Sequence, residues 1–285
     1  MIDILKLYAR ACRGVVENNV LHLKYIILKS VVSNKFHRFR CNICGKTSHS
    51  PLADIKDREA PSCYHCGSTK RYRAIMAALT VELFGEAVAL PDIMESMHLV
   101  GLGMSDASVY SVPLCKKLSY INTFYHREPK LDILDIGKDM INSVDFIISS
   151  DIFEHVPPPV DDAFRNLYKL LKKNGVCIFS VPYVRNGMTH EHYPQLFNYS
   201  IVEKKGKKVL LNKTRDGEIQ QFENLVFHGG PGATLEMRLF DESALLDEIK
   251  KAGFTRIKVH SDNIPENGIF IDDDDTSRII SFRKE

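Results

Sequence analysis

Two cysteine pairs constrain this chain more than any other feature of its sequence. Cys41-Asn-Ile-Cys44 and Cys63-Tyr-His-Cys66 form a C-x2-C-x18-C-x2-C pattern. Each pair suits a tight knuckle that turns two thiolates towards one ion. Gly45 and Gly67 follow directly, where the backbone amides must turn towards sulfur. Four thiolates around a d10 ion make a closed tetrahedral site with no position left for water, so such an ion is structural. We read 37–70 as a small zinc ribbon with Cys41, Cys44, Cys63 and Cys66 as ligands to Zn2+; a tetrathiolate iron centre is the alternative. His65, inside the second knuckle, reads as a surface residue. Cys12, Cys115 and Cys177 lie in apolar contexts and read as small buried hydrophobes. An odd total of seven cysteines, four of them paired, fits a reducing compartment with a metal site better than a disulfide scaffold. The expected localisation is cytoplasmic.

Charge is unevenly spread. The 285 residues carry a formal net charge of only +2. Residues 1–80 nevertheless hold 14 Lys and Arg against 5 Asp and Glu, and the remainder holds 24 against 31. A basic first segment suits phosphate, an anionic glycan or an acidic membrane surface. A tetrathiolate zinc site is itself about −2, so local compensation accounts for part of the surplus. Residues 1–36 read as an amphipathic helical segment: Ile4, Leu5, Tyr8, Ala11 and Val15 recur at helical spacing, and Leu21, Tyr25 and Leu28 continue it. Such a segment packs on its own domain, joins two subunits as a homodimer, or lies on a membrane surface. No run of 18 apolar residues exists, so no membrane-spanning helix is expected. Asp3, Lys6 and Arg10 interrupt the start, which argues against a secretory signal.

From Arg71 a helix follows, with Ala74, Ala77, Ala78, Val81 and Phe84 on one side. After Pro91 short apolar runs alternate with helices. The runs are Met97–Gly101, Leu118–Phe124, Val144–Ser149 and Cys177–Val181, with a helix at Val160–Lys172. A helix at Ser243–Ala252 precedes Arg256–His260, and Arg278–Phe282 closes the chain. This alternation predicts a parallel sheet covered on both faces, an α/β fold. The long interruption over 184–237 contains a hairpin, Ser200–Glu203 with Lys207–Leu211, and three histidines. A connection of that length inside a domain suits a substrate cover.

The first run leads into Gly101-Leu-Gly103-Met-Ser-Asp106, where glycines let backbone approach a ligand at a strand's carboxyl end. Further on, Ser149-Ser-Asp-Ile-Phe-Glu-His-Val-Pro157 ends a strand with polar residues. Leu170-Leu-Lys-Lys-Asn-Gly175 and Val176–Pro182 then give a helix, a turn and a strand. These motifs, D-x-x-E-H-x-P followed by L-L-K-x-x-G-x-x-x-x-x-V-P, resemble the fourth- and fifth-strand motifs of class I S-adenosylmethionine-dependent methyltransferases. The resemblance spans roughly 95–183 and resumes over Leu239–His260. The cysteine quartet resembles the zinc-ribbon extension that precedes the catalytic domain in some of them.

The resemblance implies a Rossmann-like class I methyltransferase sheet over 71–285, preceded by the four-cysteine ribbon and the N-terminal helices, with S-adenosyl-L-methionine as cofactor. It places Gly101 and Gly103 under the cofactor's methionine part, Asp132 against the adenine, and Asp151, Glu154 and His155 beside the sulfonium. Read without it, Asp151 is a helix cap, Asp132 a turn residue and His155 a buried imidazole. Two positions depart from the family pattern. Asp106 stands later than the usual acid near the glycines and is assigned to the cofactor's ammonium. The ribose-binding acid is absent, leaving Tyr125, Glu128 or the Asn122 amide. Methyl transfer requires two reactants held in line, and a hydroxyl acceptor requires a base. The candidates are His155, His190, His192 and His228, because a neutral imidazole suits that role. His190 and His192 with Glu236 or Asp151 also suit a divalent ion. Glu236 and Arg238 are read as an acid–base pair on one side of a strand, structural or placed to hold an anionic acceptor. The expected acceptor is an oxygen of a sugar, glycan or small metabolite. A nucleic-acid-directed methyltransferase and a catalytically degenerate binding protein are the alternatives.

Overall fold

The computed structural model describes residues 36–185, 187–204, 206–228, 234–272 and 277–285. The helical segment expected over 1–36 lies outside them except for Phe36.

The chain enters through a hairpin of β1 (Phe36–Arg40) and β2 (Thr47–Pro51), with Phe36 opposite Pro51 and Arg40 opposite Thr47. The first cysteine knuckle is its turn. A short helix, α1 (Leu52–Lys56), leads to the second knuckle, and α2 (Lys70–Phe84) follows it. Thr69 caps α2 by accepting the Tyr72 N–H, and Gly85 ends it at a φ of 85°. Of the apolar stripe expected on α2, Ala77 and Ala78 are buried, Ala74 and Val81 are half-buried and Phe84 is exposed. Arg73 and every residue from Ile75 to Thr80 are buried, because the helix lies between the knuckles and the main sheet.

That sheet has six strands: β3 (Ser96–Met104), β4 (Leu118–Thr123), β5 (Val144–Ser150), β6 (Leu171–Ser180) and, late in the chain, Thr255–His260 and Ile279–Arg283. The last strand lies between β6 and Thr255–His260, and the order continues β6, β5, β3, β4. β3 to β6 run parallel, whereas the two late strands pair antiparallel, so the parallel sheet read from the sequence holds for its centre only. Leu131–Ile133 adds no strand at the far edge; one parallel bridge, Phe124 to Lys130, is all that forms there.

In β5, Phe146, Ile147 and Ile148 are all fully buried, as a strand covered on both faces requires. Phe146 and Ile148 point towards α2 and α3 (Ser108–Cys115). Ile147 points towards α4 (Asp161–Leu170), whose Ala163, Phe164, Leu167 and Leu170 supply a helical-period face. A later helix, α5 (Glu242–Lys251), adds Leu245 and Ile249 to that layer.

The interruption after β6 is mostly strand. β7 (Tyr183–Val184) and β8 (His190–Glu191) flank the later strand Arg238–Asp241. The hairpin is real and longer than read: β9 (Asn198–Lys204) and β10 (Lys207–Lys213), joined by β11 (Ile219–Phe222), make a separate antiparallel sheet. Tyr193, Leu196, Leu210, Leu235 and Met237 form its own small core. No helix among the described residues is long and apolar enough to cross a membrane.

Candidate active site

The carboxyl ends of β3, β4 and β5 open into one cavity of about 1330 Å³. Its floor is the turn after β3. Ser105 there adopts a φ of 57°, a left-handed conformation unusual for a residue with a Cβ. Asn122 brackets the turn, accepting the Asp106 N–H at 2.9 Å and donating to the Asp106 carbonyl at 2.8 Å. Asn122 thus braces the turn, and it is not among the residues that line the cavity. Asp106 lines the cavity while its carboxylate accepts the hydroxyls of Tyr110, at 2.7 Å, and Tyr120. Burial pushes its pKa up to about 7 despite those two donors.

Gly101 and Gly103 lie within β3 rather than in the loop. A Cβ on Gly101 would collide with the Phe146 ring, and one on Gly103 with the Tyr120 hydroxyl and the Asp106 carboxylate. They make room for packing behind the turn. Ala107, where α3 begins, supplies no side-chain cap, so the first amides of that helix lack a local side-chain acceptor.

Of the other residues singled out from sequence, Tyr125, Asp132, Asp151, His155 and His228 line the cavity, whereas Glu128, His190 and His192 do not. Glu128 instead accepts the Lys130 N–H at 3.0 Å. Asp132 accepts the Leu134 N–H at 2.9 Å, so it shapes its own turn while facing the cavity. Asp151, at a φ of 54° just past β5, is held by two arginines. Arg58 donates to both its oxygens at 3.0 and 2.7 Å, and Arg71 stands 3.3 Å away. Arg71 also donates to Ser150 and Glu59. These two arginines were not found from the sequence. The surplus of basic residues before position 80 was the one available signal.

The same cavity is lined by Glu154, His155 and His228, part of a cluster of carboxylates and imidazoles. Glu154 is 1% exposed, and neither of its carboxylate oxygens has a hydrogen-bond partner among the described residues. Burial, with the nearby charge of Asp151, pushes its pKa up to about 8. His155 Nδ1 is 2.9 Å from the Leu235 carbonyl, and its Nε2 faces Glu154 at 3.7 Å. Burial also lowers the pKa of His155, which keeps the ring neutral. Glu236 joins two further imidazoles, with His192 Nε2 at 2.8 Å and His228 Nε2 at 2.6 Å. His190 is exposed, its ring 5.0 Å from that of His192. The Glu236–Arg238 pair read from sequence does not form. Arg238 is completely buried and binds Glu191 at 2.6 Å and the carbonyls of Phe153 and Val156, so it braces the loop that carries His155 and is not open to an acceptor.

The four knuckle cysteines converge. Sγ of Cys41 is 3.7 Å from that of Cys66, and Cys44 is 3.7 Å from Cys63. Thiolates 2.3 Å from a tetrahedral ion stand about 3.8 Å apart, so the donor set fits one such ion. Arg73 supplies a second test. Its fully buried guanidinium donates to Ser62, Ser68 and the Gly268 carbonyl, all neutral oxygens. Burial lowers the pKa of Arg73, and negative charge on the four cysteines offsets part of that. A buried cation facing four sulfurs is what a thiolate-bound metal needs as counter-charge.

Residues 101–179, from the end of β3 through β6, match the family model of a methyltransferase domain. No curated protein matches the chain by sequence. Among solved structures, it is similar to the 1,6-didemethyltoxoflavin-N1-methyltransferase of Burkholderia thailandensis, solved with S-adenosylhomocysteine, at 12% identity over 74% of this chain and 78% of that one, with a TM-score of 0.41. It is also similar to the CurJ carbon methyltransferase, at 10% identity over 76% and 55%, with a TM-score of 0.45. A possible histamine N-methyltransferase of Thermotoga maritima gives 15% identity over 76% and 94%, with a TM-score of 0.37. Likeness this distant says nothing about substrate.

Proposed function

We propose that the chain transfers a methyl group from S-adenosylmethionine to an oxygen of a small acceptor, a sugar, glycan or related metabolite. The observation that carries this reading is the single cavity lined both by the Ser105–Asp106 turn and Asp132 and by His155 and His228. When bound, the cofactor supplies an electrophilic methyl group on sulfonium. In this reading Asp132 receives the adenine amino group and Tyr125 the ribose, all three of Asp106, Tyr125 and Asp132 lining the cavity. Asp106 receives the ammonium, and ionising it for that purpose is favourable because the ammonium replaces the solvation lost on burial. Arg58, Arg71 and the uncapped start of α3 suit the carboxylate. The acceptor would lie beside His155 and His228, where a neutral imidazole would take its hydroxyl proton as the oxygen received the methyl group and the thioether left. The four-cysteine knuckles are assigned one structural Zn2+.

Calorimetric titration of the full-length, zinc-loaded protein with S-adenosylmethionine and S-adenosylhomocysteine tests this. Saturable binding, weakened about tenfold in Asp132→Asn by loss of one charge-assisted hydrogen bond, is expected. A folded protein that binds neither compound overturns it.

A further inference from the structure

We propose that Glu154, His155 and His228 form a second metal site, distinct from the cysteine knuckles, that holds a divalent transition ion in the cavity that all three line. One donor atom from each of these three side chains lies within 4.8 Å of the other two. Around an ion bound at about 2.1 Å, donors stand roughly 3 to 4 Å apart, and Glu154 Oε1 to His155 Nε2 is 3.7 Å.

The independent observation is Glu154 itself. The ionised form of a carboxyl group that is 1% exposed, with neither oxygen hydrogen-bonded among the described residues, is costly to bury unless a cation meets it, the alternative being to stay protonated. No arginine bonds Glu154: Arg58 donates to Asp151, Arg71 to Glu59 and Arg238 to Glu191, and the charge of Arg58 reaches Glu154 only at a distance. The imidazoles are prepared in the way metal ligands are. His155 Nδ1 is tied to the Leu235 carbonyl, which fixes the tautomer and leaves the Nε2 lone pair towards Glu154. Glu236 stands directly behind His228. A carbonyl or carboxylate behind a ligating histidine both orients it and raises its basicity.

Two nitrogens and one carboxylate oxygen select a borderline ion such as Zn2+ over the oxygen-seeking Mg2+ or Ca2+. Three protein ligands leave a position open, unlike the closed four-cysteine set. His228 is half-exposed and lines the cavity, so the open position faces the space assigned to the acceptor. Coordination would lower the pKa of an acceptor hydroxyl, and His155 and His228 would then act by holding the ion rather than by accepting the proton. That last role rests on the proposed methyl transfer. The site itself does not.

The test is equilibrium dialysis of the full-length protein against Zn2+ followed by metal analysis, with S-adenosylhomocysteine calorimetry on the same samples. Wild type should retain a second zinc equivalent beyond that of the knuckles. In Glu154→Gln its retention should fall by at least about tenfold, with the knuckle zinc unchanged. His228→Asn, on a half-exposed side chain, should do the same and keeps the test valid if the buried substitution prevents folding. Only one equivalent in folded wild type, or a second that survives both substitutions, overturns the proposal. A Glu154-dependent second zinc in a protein that fails to bind S-adenosylhomocysteine would uphold the metal site and sink the methyltransferase reading alone.

Discussion

Replacing Gly101 by alanine should cost more in stability than in cofactor affinity. β3 runs between β5 and β4, with Gly101 paired to Phe146 on one side and Tyr120 on the other. Those two rings are parallel within 3°, their centroids 6.0 Å apart. A Cβ on Gly101 would come closer than 3.0 Å to Cζ, Cε1 and Cε2 of Phe146, whereas carbon contacts settle at about 3.5–4.0 Å. Phe146 is fully buried, so its ring has no free space to enter. Overpacking typically costs about 1–3 kcal/mol, and a fixed ring beside a paired strand puts Gly101→Ala near the upper end, about 3 kcal/mol. Phe146→Leu removes the three clashing atoms and alone costs roughly 2 kcal/mol for the lost carbons. The double variant should then be about as stable as Phe146→Leu alone, a coupling of about 3 kcal/mol. Urea unfolding of the four proteins reads this cycle directly. Additive costs would refute the packing argument. So would a Gly101→Ala protein of undiminished stability that no longer binds S-adenosylhomocysteine, which would return Gly101 to the cofactor.

Two further substitutions probe buried charge. Asp106 titrates near 7 in the fold and near 3.8 when exposed, so the native state binds the extra proton between those values and stability falls as pH rises towards 7, then levels. Asp106→Asn removes that slope and should gain about 2 kcal/mol relative to wild type between pH 5.5 and 8; parallel urea midpoints across that range would contradict it. Arg73→Met leaves the four thiolates without their counter-charge, and zinc release to a chelator should accelerate by about tenfold or more. Unchanged release from a folded variant would show that Arg73 serves only its hydrogen bonds.

The parts of the fold that follow from short-range pattern were legible. Phe146 to Ile148 forms an unbroken apolar run because both faces of β5 are covered, and the Lys205–Gly206 break between two β-rich runs marks the hairpin of β9 and β10. The cysteine spacing was enough to place four sulfurs together. What escaped is long-range pairing. Arg58 lies 93 residues from Asp151, and Arg238 lies 47 from Glu191; nothing local distinguishes these arginines from solvated ones. Arg238 and Glu236, two apart, looked like neighbours. In the structure they turn to different partners, Glu191 for one and His192 with His228 for the other. The glycines were legible only in part. Glycine signals a close approach but not what approaches, and here an aromatic ring and a tyrosine hydroxyl do.

The stretch that matches the methyltransferase family model, 101–179, supplies the floor of the cavity and His155, but not its full wall. Arg58 and Arg71 come from the knuckle segment and α2, on one side. Tyr199, Ile201, His228 and Leu235 come from the interruption after β6, on the other. Glu236, which backs His192 and His228, belongs to that interruption too. The site proposed for the cofactor takes Asp106, Tyr125 and Asp132 from the match but Arg58 and Arg71 from outside it, and the site proposed for the acceptor takes Glu154 and His155 from the match but His228 and Leu235 from outside it. The side chains that would choose the acceptor, and the three proposed to hold an ion beside it, are brought together by the fold of the inserted strands against the loop after β5.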